Sequence, residues 1–316
     1  MTRLIAAISG LLLTTMAAAQ DYPVRFVTVV VPFAAGSGSD TAARVVGQYL
    51  GPRLGQSIVV ENRVGATGAI ASTYVARARP DGYTLLLGTN STHGSNSALY
   101  KKLTYDPVKD FAGIADTGTF NYFVVVNPLL PITSVAELIA YGRANPGRLS
   151  YAGGSSTSTV MAESFAKATD ISVLKVAYRS NPPALTDVIA GRVSMMFVDV
   201  SSAISFVRAG TLRALAVTTR DRSPLYPDLP TVGETVAGFD LASWTGLLAP
   251  AGTPPAIIER LNTEVNAVLA LPEVRERLAS LGIEPAPMGA AQFTAFTRDE
   301  VLKWSRLVKD AGIDPE

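Results

Sequence analysis

The chain has no cysteine and a single histidine, His93. The first absence excludes disulfides, thiol nucleophiles and thiolate metal sites. The second leaves a histidine-based metal centre without companion ligands, so no metal and no cofactor is expected. Lys and Arg (27) nearly balance Asp and Glu (26), and no block of basic residues occurs, which argues against a nucleic-acid partner. Nor is there an apolar run of the about 20 residues that a membrane-spanning helix needs. The nearest approach is Leu4 to Met16, with Arg3 as its only neighbouring charge and Ala17-Ala18-Ala19 before Gln20. That pattern predicts a secretory signal peptide over residues 1–19. Its removal takes away Arg3 and no acid, leaving a chain with no formal net charge. No lipid-bearing cysteine follows it, so the mature protein is expected to be free in its compartment.

What is present is a large apolar complement, 48% of 316 residues with 17% charged, enough for two ordinary domains with real cores. The most informative stretch runs from Phe26 to Leu54. An unbroken apolar run ends at Pro32-Phe33, then Ala34-Ala35-Gly36-Ser37-Gly38-Ser39-Asp40 supplies small residues, then Ala43, Val46, Tyr49 and Leu50 recur at helical spacing. This predicts a buried strand, a tight loop and a helix capped by Ser39 or Asp40. Such a loop aims free backbone N–H groups, backed by the helix dipole, at whatever lies above the strand end, and suits a carboxylate or phosphate. The alternative is that the two glycines only shape a turn. Nucleotide motifs fit poorly. A P-loop needs Lys where Ser39-Asp40 stands, and the dinucleotide fingerprint needs a small residue where Thr41 stands.

The same theme returns about 120 residues later. Leu149-Ser150-Tyr151 predicts a strand, Gly153-Gly154-Ser155-Ser156-Thr157-Ser158-Thr159 a loop of glycines and hydroxyls, and Val160 to Ala168 a helix. Two such loops in two candidate lobes suggest a cleft whose walls both offer donors to one ligand. Between and around them, nearly all-apolar strands alternate with helices, which means α/β with a parallel core. Thr117-Gly118-Thr119-Phe120-Asn121, lacking a strong pattern, is expected to be a hinge. Ser134 with Glu137 predicts a capping box, and Thr253 with Pro254 a capped helix start. The terminal helices are expected to return to the first lobe. Domain I then comprises 20–120 plus 237–316, domain II 121–236, joined by two crossings that suit hinge bending. Arg179, at a strand end, either pairs with an anion or lies on the surface.

Taken together, Pro32-Phe33-Ala34-Ala35-Gly36 with Asp40 and Arg44, Gly65-Ala66-Thr67-Gly68, Ala78-Arg79-Pro80-Asp81-Gly82-Tyr83-Thr84-Leu85, Tyr105-Asp106-Pro107-Val108-Lys109-Asp110-Phe111 and Gly246-Leu247-Leu248-Ala249-Pro250-Ala251-Gly252-Thr253-Pro254 resemble the Bug family, the periplasmic receptors of tripartite tricarboxylate transporters. The resemblance covers essentially the whole chain after the signal. It implies a two-lobed periplasmic binding protein (Venus-flytrap) fold, each lobe a mainly parallel sheet flanked by helices. It also implies a periplasmic protein that closes on a small organic acid, a dicarboxylate or an aromatic carboxylate. Carried over by position, the ligand-binding residues would be Phe33, Ala34, Ala35, Gly36, Ser37, Gly38, Ser39 and Asp40 in one lobe and Ser155, Ser156, Thr157 and Ser158 in the other. Thr89, Ser91, Tyr178, Arg179, Ser180 and Asp199 would line the remainder. The family usually has Gly-Gly at Gly36-Ser37, Tyr-Lys-Gly at Tyr178-Arg179-Ser180, and often His-Leu at Val160-Met161, departures expected to alter ligand choice.

The implied partners are membrane transporter subunits or, alternatively, a sensor kinase, with the receptor itself a monomer. A third reading, from the residues alone, is a secreted serine hydrolase using Ser155, Ser156 or Ser158 with His93, although no Gly-x-Ser-x-Gly elbow supports it.

Overall fold

The computed structural model describes residues 22–315; the signal peptide expected at 1–19 lies outside them. The first stretch runs β1 (Val27–Val31), α1 (Gly38–Leu54), β2 (Ile58–Asn62), α2 (Ala69–Ala76), β3 (Thr84–Thr89), a wide helical turn at Ser91–Ser95, α3 (Asn96–Leu99) and β4 (Phe111–Phe120). The chain then crosses to β5 (Tyr122–Val126), α4 (Val135–Ala144), β6 (Leu149–Gly153), α5 (Ser156–Thr169), β7 (Val173–Ala177), α6 (Asn181–Ile189), β8 (Met195–Asp199), α7 (Val200–Arg208) and β9 (Arg213–Val217). It returns through β10 (Ser243–Pro250), α8 (Pro255–Leu269), α9 (Pro272–Ala279), β11 (Ile283–Glu284) and α10 (Ala290–Ala311).

Two sheets result, one per lobe, in the orders β11-β4-β10-β3-β1-β2 and β7-β6-β8-β5-β9. The strands that precede the candidate loops pair in parallel, β1 with β2 and β3, and β6 with β7 and β8. The crossing strands run the other way: β10 is antiparallel to β3 and β4, and β5 to β8 and β9. Both sheets are therefore mixed, flanked by helices, and most of their strands share one direction. Parallel β–loop–α units put every helix start of a lobe beyond the same edge of its sheet, where ligands bind in such folds.

The stretch expected as a patternless hinge is strand. β4 continues to Phe120 against Ser243 of β10, and only Asn121 separates it from β5. Its alternation is hidden because both faces are buried, with α8 packed on one side and α10 on the other. The register with β10 slips beside Thr117, and Gly118 sits at φ +145, where a Cβ would strike Ile283. The capping expectations also shift. Ser134 accepts from the Glu137 N–H, but the Glu137 carboxylate accepts from the Thr133 N–H and hydroxyl, so only half of the expected capping box forms; Thr253 Oγ1 donates back to Pro250, and Pro254 itself precedes α8.

α10 is tied to the cleft loop after β3 by one buried carboxylate. Glu300 Oε2 accepts from Trp304 Nε1 (2.8 Å), Trp244 Nε1 (2.9 Å) and Asn90 Nδ2 (2.9 Å). Asn90 Oδ1 in turn accepts from Ser243 Oγ (2.7 Å) and from the Trp244 N–H. Glu300→Ala strands three buried donors, each worth about 1–3 kcal/mol. A fall in the urea unfolding midpoint equivalent to about 3 kcal/mol is expected; an unchanged midpoint would show the network to be dispensable.

Asp116, buried on β4, has its pKa pushed up to about 7 by desolvation, against a hydrogen bond from the Gly118 N–H and with help from the charge of Glu300. The folded form thus holds a proton that the unfolded chain has already released. That contribution is complete below about pH 4 and lost as the pH rises through about 7. Asp116→Asn should gain stability over the parent at pH 8, by at most about 4 kcal/mol, and little at pH 4 in paired thermal melts.

Candidate functional site

The loop after β1 is built by its own side chains. Gly36 adopts φ +80, open to glycine, and turns the chain so that Ser37 can cap α1. Ser37 Oγ accepts from the Asp40 N–H (3.3 Å), so the cap stands two residues before the nearer of the expected positions, Ser39 and Asp40. Asp40 does a different job. Its carboxylate turns back to accept from the Gly36 N–H (3.0 Å), Asn62 Nδ2 (2.9 Å) and Arg44 Nε (3.0 Å). Burial alone would raise its pKa, but these hydrogen bonds and the Arg44 charge outweigh that and hold it below the usual value. Asp40 braces the loop from behind and uses up the Gly36 donor.

The second loop repeats the logic. Ser155 caps α5, accepting from the Ser158 N–H (3.1 Å). Two further helices start at the same rim. Asp199 caps α7, and Ser180 precedes α6 without bonding inside it. The Ser180 hydroxyl instead accepts from the Ala34 N–H of the other lobe (3.1 Å). The lobes touch at further points. The Thr157 N–H donates to Ser91 Oγ (3.3 Å), Ser95 Oγ donates to Ser156 Oγ (2.9 Å), and Ser156 Oγ donates to Asn96 Oδ1 (2.8 Å). At Gly38 the approach is closer still: a Cβ there would lie 2.5 Å from Asp199 Oδ1 and 2.7 Å from Ser201 Oγ.

Between these contacts lies a small cavity, about 30 Å³ counted as space for the centres of water molecules. The expected residues Phe33, Ser37, Gly38, Ser39, Thr89, Ser91, Ser155, Thr157 and Asp199 line it. The two capped helix starts therefore open on one shared space. Phe120, Tyr122, Asn181, Ser243 and Thr245 also line it and were not singled out from the sequence. Four of these five lie on β4, β5 and β10, whose position over the cleft depends on pairing with strands distant in sequence. Asn181 carried the one local signal, a helix start beside Ser180.

Other expected residues fall elsewhere. Ala34, Ala35 and Gly36 shape the first loop without lining the cavity, and Ser158 is packed inside the first turn of α5. Ser156 sits at the lobe contact, where it faces a second hollow with Tyr178, Arg179, Thr67 and Tyr100. Tyr178 and Arg179 are outside the cavity because β7 is the edge strand of its sheet, one strand beyond β6. Tyr178 OH donates to Asp187 (2.6 Å).

The lining thus has hydroxyls and amides but no Lys, Arg or His, and its one charged side chain is Asp199. Tyr122 stays a neutral phenol, its pKa pushed up by burial and then by the Asp199 charge. An anion in this cavity would meet N-terminal dipoles and hydroxyls rather than a cation. His93 is fully buried, edge-on to the Phe111 ring, with its pKa pushed down by burial to about 3. Its Nδ1 pairs with Thr92 Oγ1 (3.0 Å), and among the described residues Nε2 has no partner, so no cleft serine has it as a base. Among the described residues no three His, Cys, Asp or Glu side chains are grouped to hold a metal.

This geometry has close counterparts. Residues 42–313 match the family described as tripartite tricarboxylate transporter family receptor. The structure of Rhodopseudomonas palustris Rpa4515 with adipate superposes with a TM-score of 0.92 at 36% identity, covering 94% of this chain and 100% of that one. Periplasmic binding protein BugD gives 0.89 at 33% identity, covering 93% of this chain and all of its own. MatC from R. palustris with bound malate gives 0.85 at 33% identity, covering 91% of this chain and 100% of that chain. The chain belongs to the tripartite tricarboxylate transporter receptor family, the Bug proteins, which are solute-binding receptors rather than enzymes.

Proposed function

We propose that this receptor captures a small organic carboxylate in the periplasm and presents it, lobes closed, to the membrane subunits of a tripartite tricarboxylate-type transporter. The observation that carries the reading is the pair of serine-capped helix starts, α1 and α5, lining one cavity from two lobes. Adipate and malate on two relatives of similar fold support an acid as the solute. The hinge would lie where both crossing strands leave the first sheet, at Asn121 and Ser243, with 20–120 plus 237–316 moving against 121–236.

The carboxylate would sit against the free N–H groups at Gly38 and Ser39 and the first turn of α5, with hydroxyls of Ser37, Ser91 and Thr157 around it. Each charge-assisted hydrogen bond is worth about 1.5–3 kcal/mol, so a few of them reach the about −8 kcal/mol of a micromolar complex. In calorimetric titrations with mono-, di- and tricarboxylates, at least one acid should bind in the micromolar range. Its methyl ester should bind at least about a hundredfold more weakly; equal binding of acid and ester would defeat the proposal.

Closure has its own test. Gly38 does not need a positive φ, so Gly38→Ala should leave the first lobe folded, yet its methyl group would meet Asp199 and Ser201 before the lobes seat. The expected result is an unchanged melting temperature without ligand and loss of most of the ligand-induced rise, which for the parent is about 2.7 kcal/mol at a hundred times Kd.

A further inference from the structure

The room left in the cleft is small. About 30 Å³ is open to the centres of water molecules, and one water needs about 10–15 Å³ on that count, so about two waters fill it. The angle between the lobes does not account for this. The relative solved with adipate superposes on 94% of this chain, both lobes included, with a TM-score of 0.92. A lobe swung to a different angle would not superpose so well. The lobes thus stand much as they do in that relative, and the shortage of room comes from the side chains that fill the cleft.

Three aromatic side chains line the cavity: Phe33 from the loop after β1, Phe120 at the end of β4 and Tyr122 at the start of β5. All three are buried. The other lining residues are Gly, Ser, Thr, Asn and Asp, so the rings supply most of the bulk around the space. Nor does the cavity run on into the hollow that holds Arg179, which offers about 290 Å³ on the same count. The two share no lining residue. Ser156 faces that hollow while its neighbours Ser155 and Thr157 face the cavity, and the bonds from Ser95 to Ser156 and from Ser156 to Asn96 tie the lobes together there.

Charge narrows the choice further. The Asp199 carboxylate accepts from Ser201 Oγ (2.6 Å), the Ser202 N–H (2.8 Å), Asn181 Nδ2 (2.8 Å) and Ser202 Oγ (3.0 Å). Those four bonds fill a carboxylate's acceptor sites, and none comes from a cation. The helix starts offer donors to one carboxylate. A second would meet the Asp199 charge with no Lys, Arg or His in the lining to offset it.

We propose that the solute is a short monocarboxylate, an acid of two or three carbons, and that Phe120 and Tyr122 set this limit by filling the space a longer chain would need. This rests on the carboxylate-receptor reading and narrows it. One carboxylate of that size replaces the water without parting the lobe contacts. A longer chain or a second acid group holds the lobes off their seat, and overfilling a packed site is unfavourable.

The test is a calorimetric series on the full protein: acetate, glycolate and lactate as short acids, hexanoate and benzoate as longer ones, succinate and adipate as diacids. Each is titrated into the parent, Phe120→Val and Tyr122→Ala. The tightest short acid should bind the parent at least about tenfold more tightly than any longer acid or diacid. In a folded variant, hexanoate should gain at least about tenfold relative to that short acid, because the truncated ring opens room for its chain. A purely structural role for the two rings would weaken all the acids together and leave the ratio unchanged. A longer acid or diacid that binds the parent within tenfold of the best short acid overturns the inference and leaves the receptor reading standing. So does an unchanged ratio in both folded variants. Should no carboxylate bind the parent, both readings fall. The parent series decides the matter even if neither variant folds.

Discussion

Gly38 has no side chain where Asp199 of the opposite lobe arrives, and the rest of the cleft depends on that missing carbon. Because the lobes can seat this closely, the start of α1 faces the start of α5 across a space of only a few water molecules. Ser180 then reaches the Ala34 N–H, and Ser91 reaches Thr157. Each of these bonds is weak alone, about 0.5–1.5 kcal/mol net. Their common requirement is that two rigid β–loop–α units approach to hydrogen-bonding distance without a clash. Positioning rests on the sheets, and rigidity on the caps and on the Asp40 brace behind the first loop.

A receptor for an anion can hold it with a buried cation or with oriented dipoles. A buried Lys or Arg would need a permanent counter-ion or would pay heavily for desolvation in the empty, closed state. Helix N-termini carry only partial charge, already compensated along the helix, and remain hydrated when the cleft opens. The lining here follows the second plan, with serine and threonine hydroxyls that donate or accept by rotating. The fixed features are the ones that do not rotate: the saturated Asp199 carboxylate and the Asn181 amide it orients.

Much of the fold could be read locally. The small-residue loops at Gly36 to Asp40 and Gly153 to Ser158 follow apolar runs and precede helical spacing, so both strand–loop–helix units were legible, and the cap of α1, expected at Ser39 or Asp40, stands at Ser37. The strand through Thr117 to Phe120 went unread because a strand buried on both faces shows no alternation. His93 looked ambiguous in a polar loop; its burial against Phe111 makes it a core residue.

The sequence by itself determined the local chemistry: two helix starts rich in N–H and O–H donors, no thiol, no histidine pair, and a chain balanced in charge. Those features depend on residues within a few positions of one another. Tertiary structure alone decided which side chains share the cavity. Arg179 was drawn out of it and Asp199 into it because β7 took the sheet edge while β8 lay beside β5 at the crossing. Strand order is set by long-range packing, and a strand end becomes a surface or a binding wall according to its neighbours.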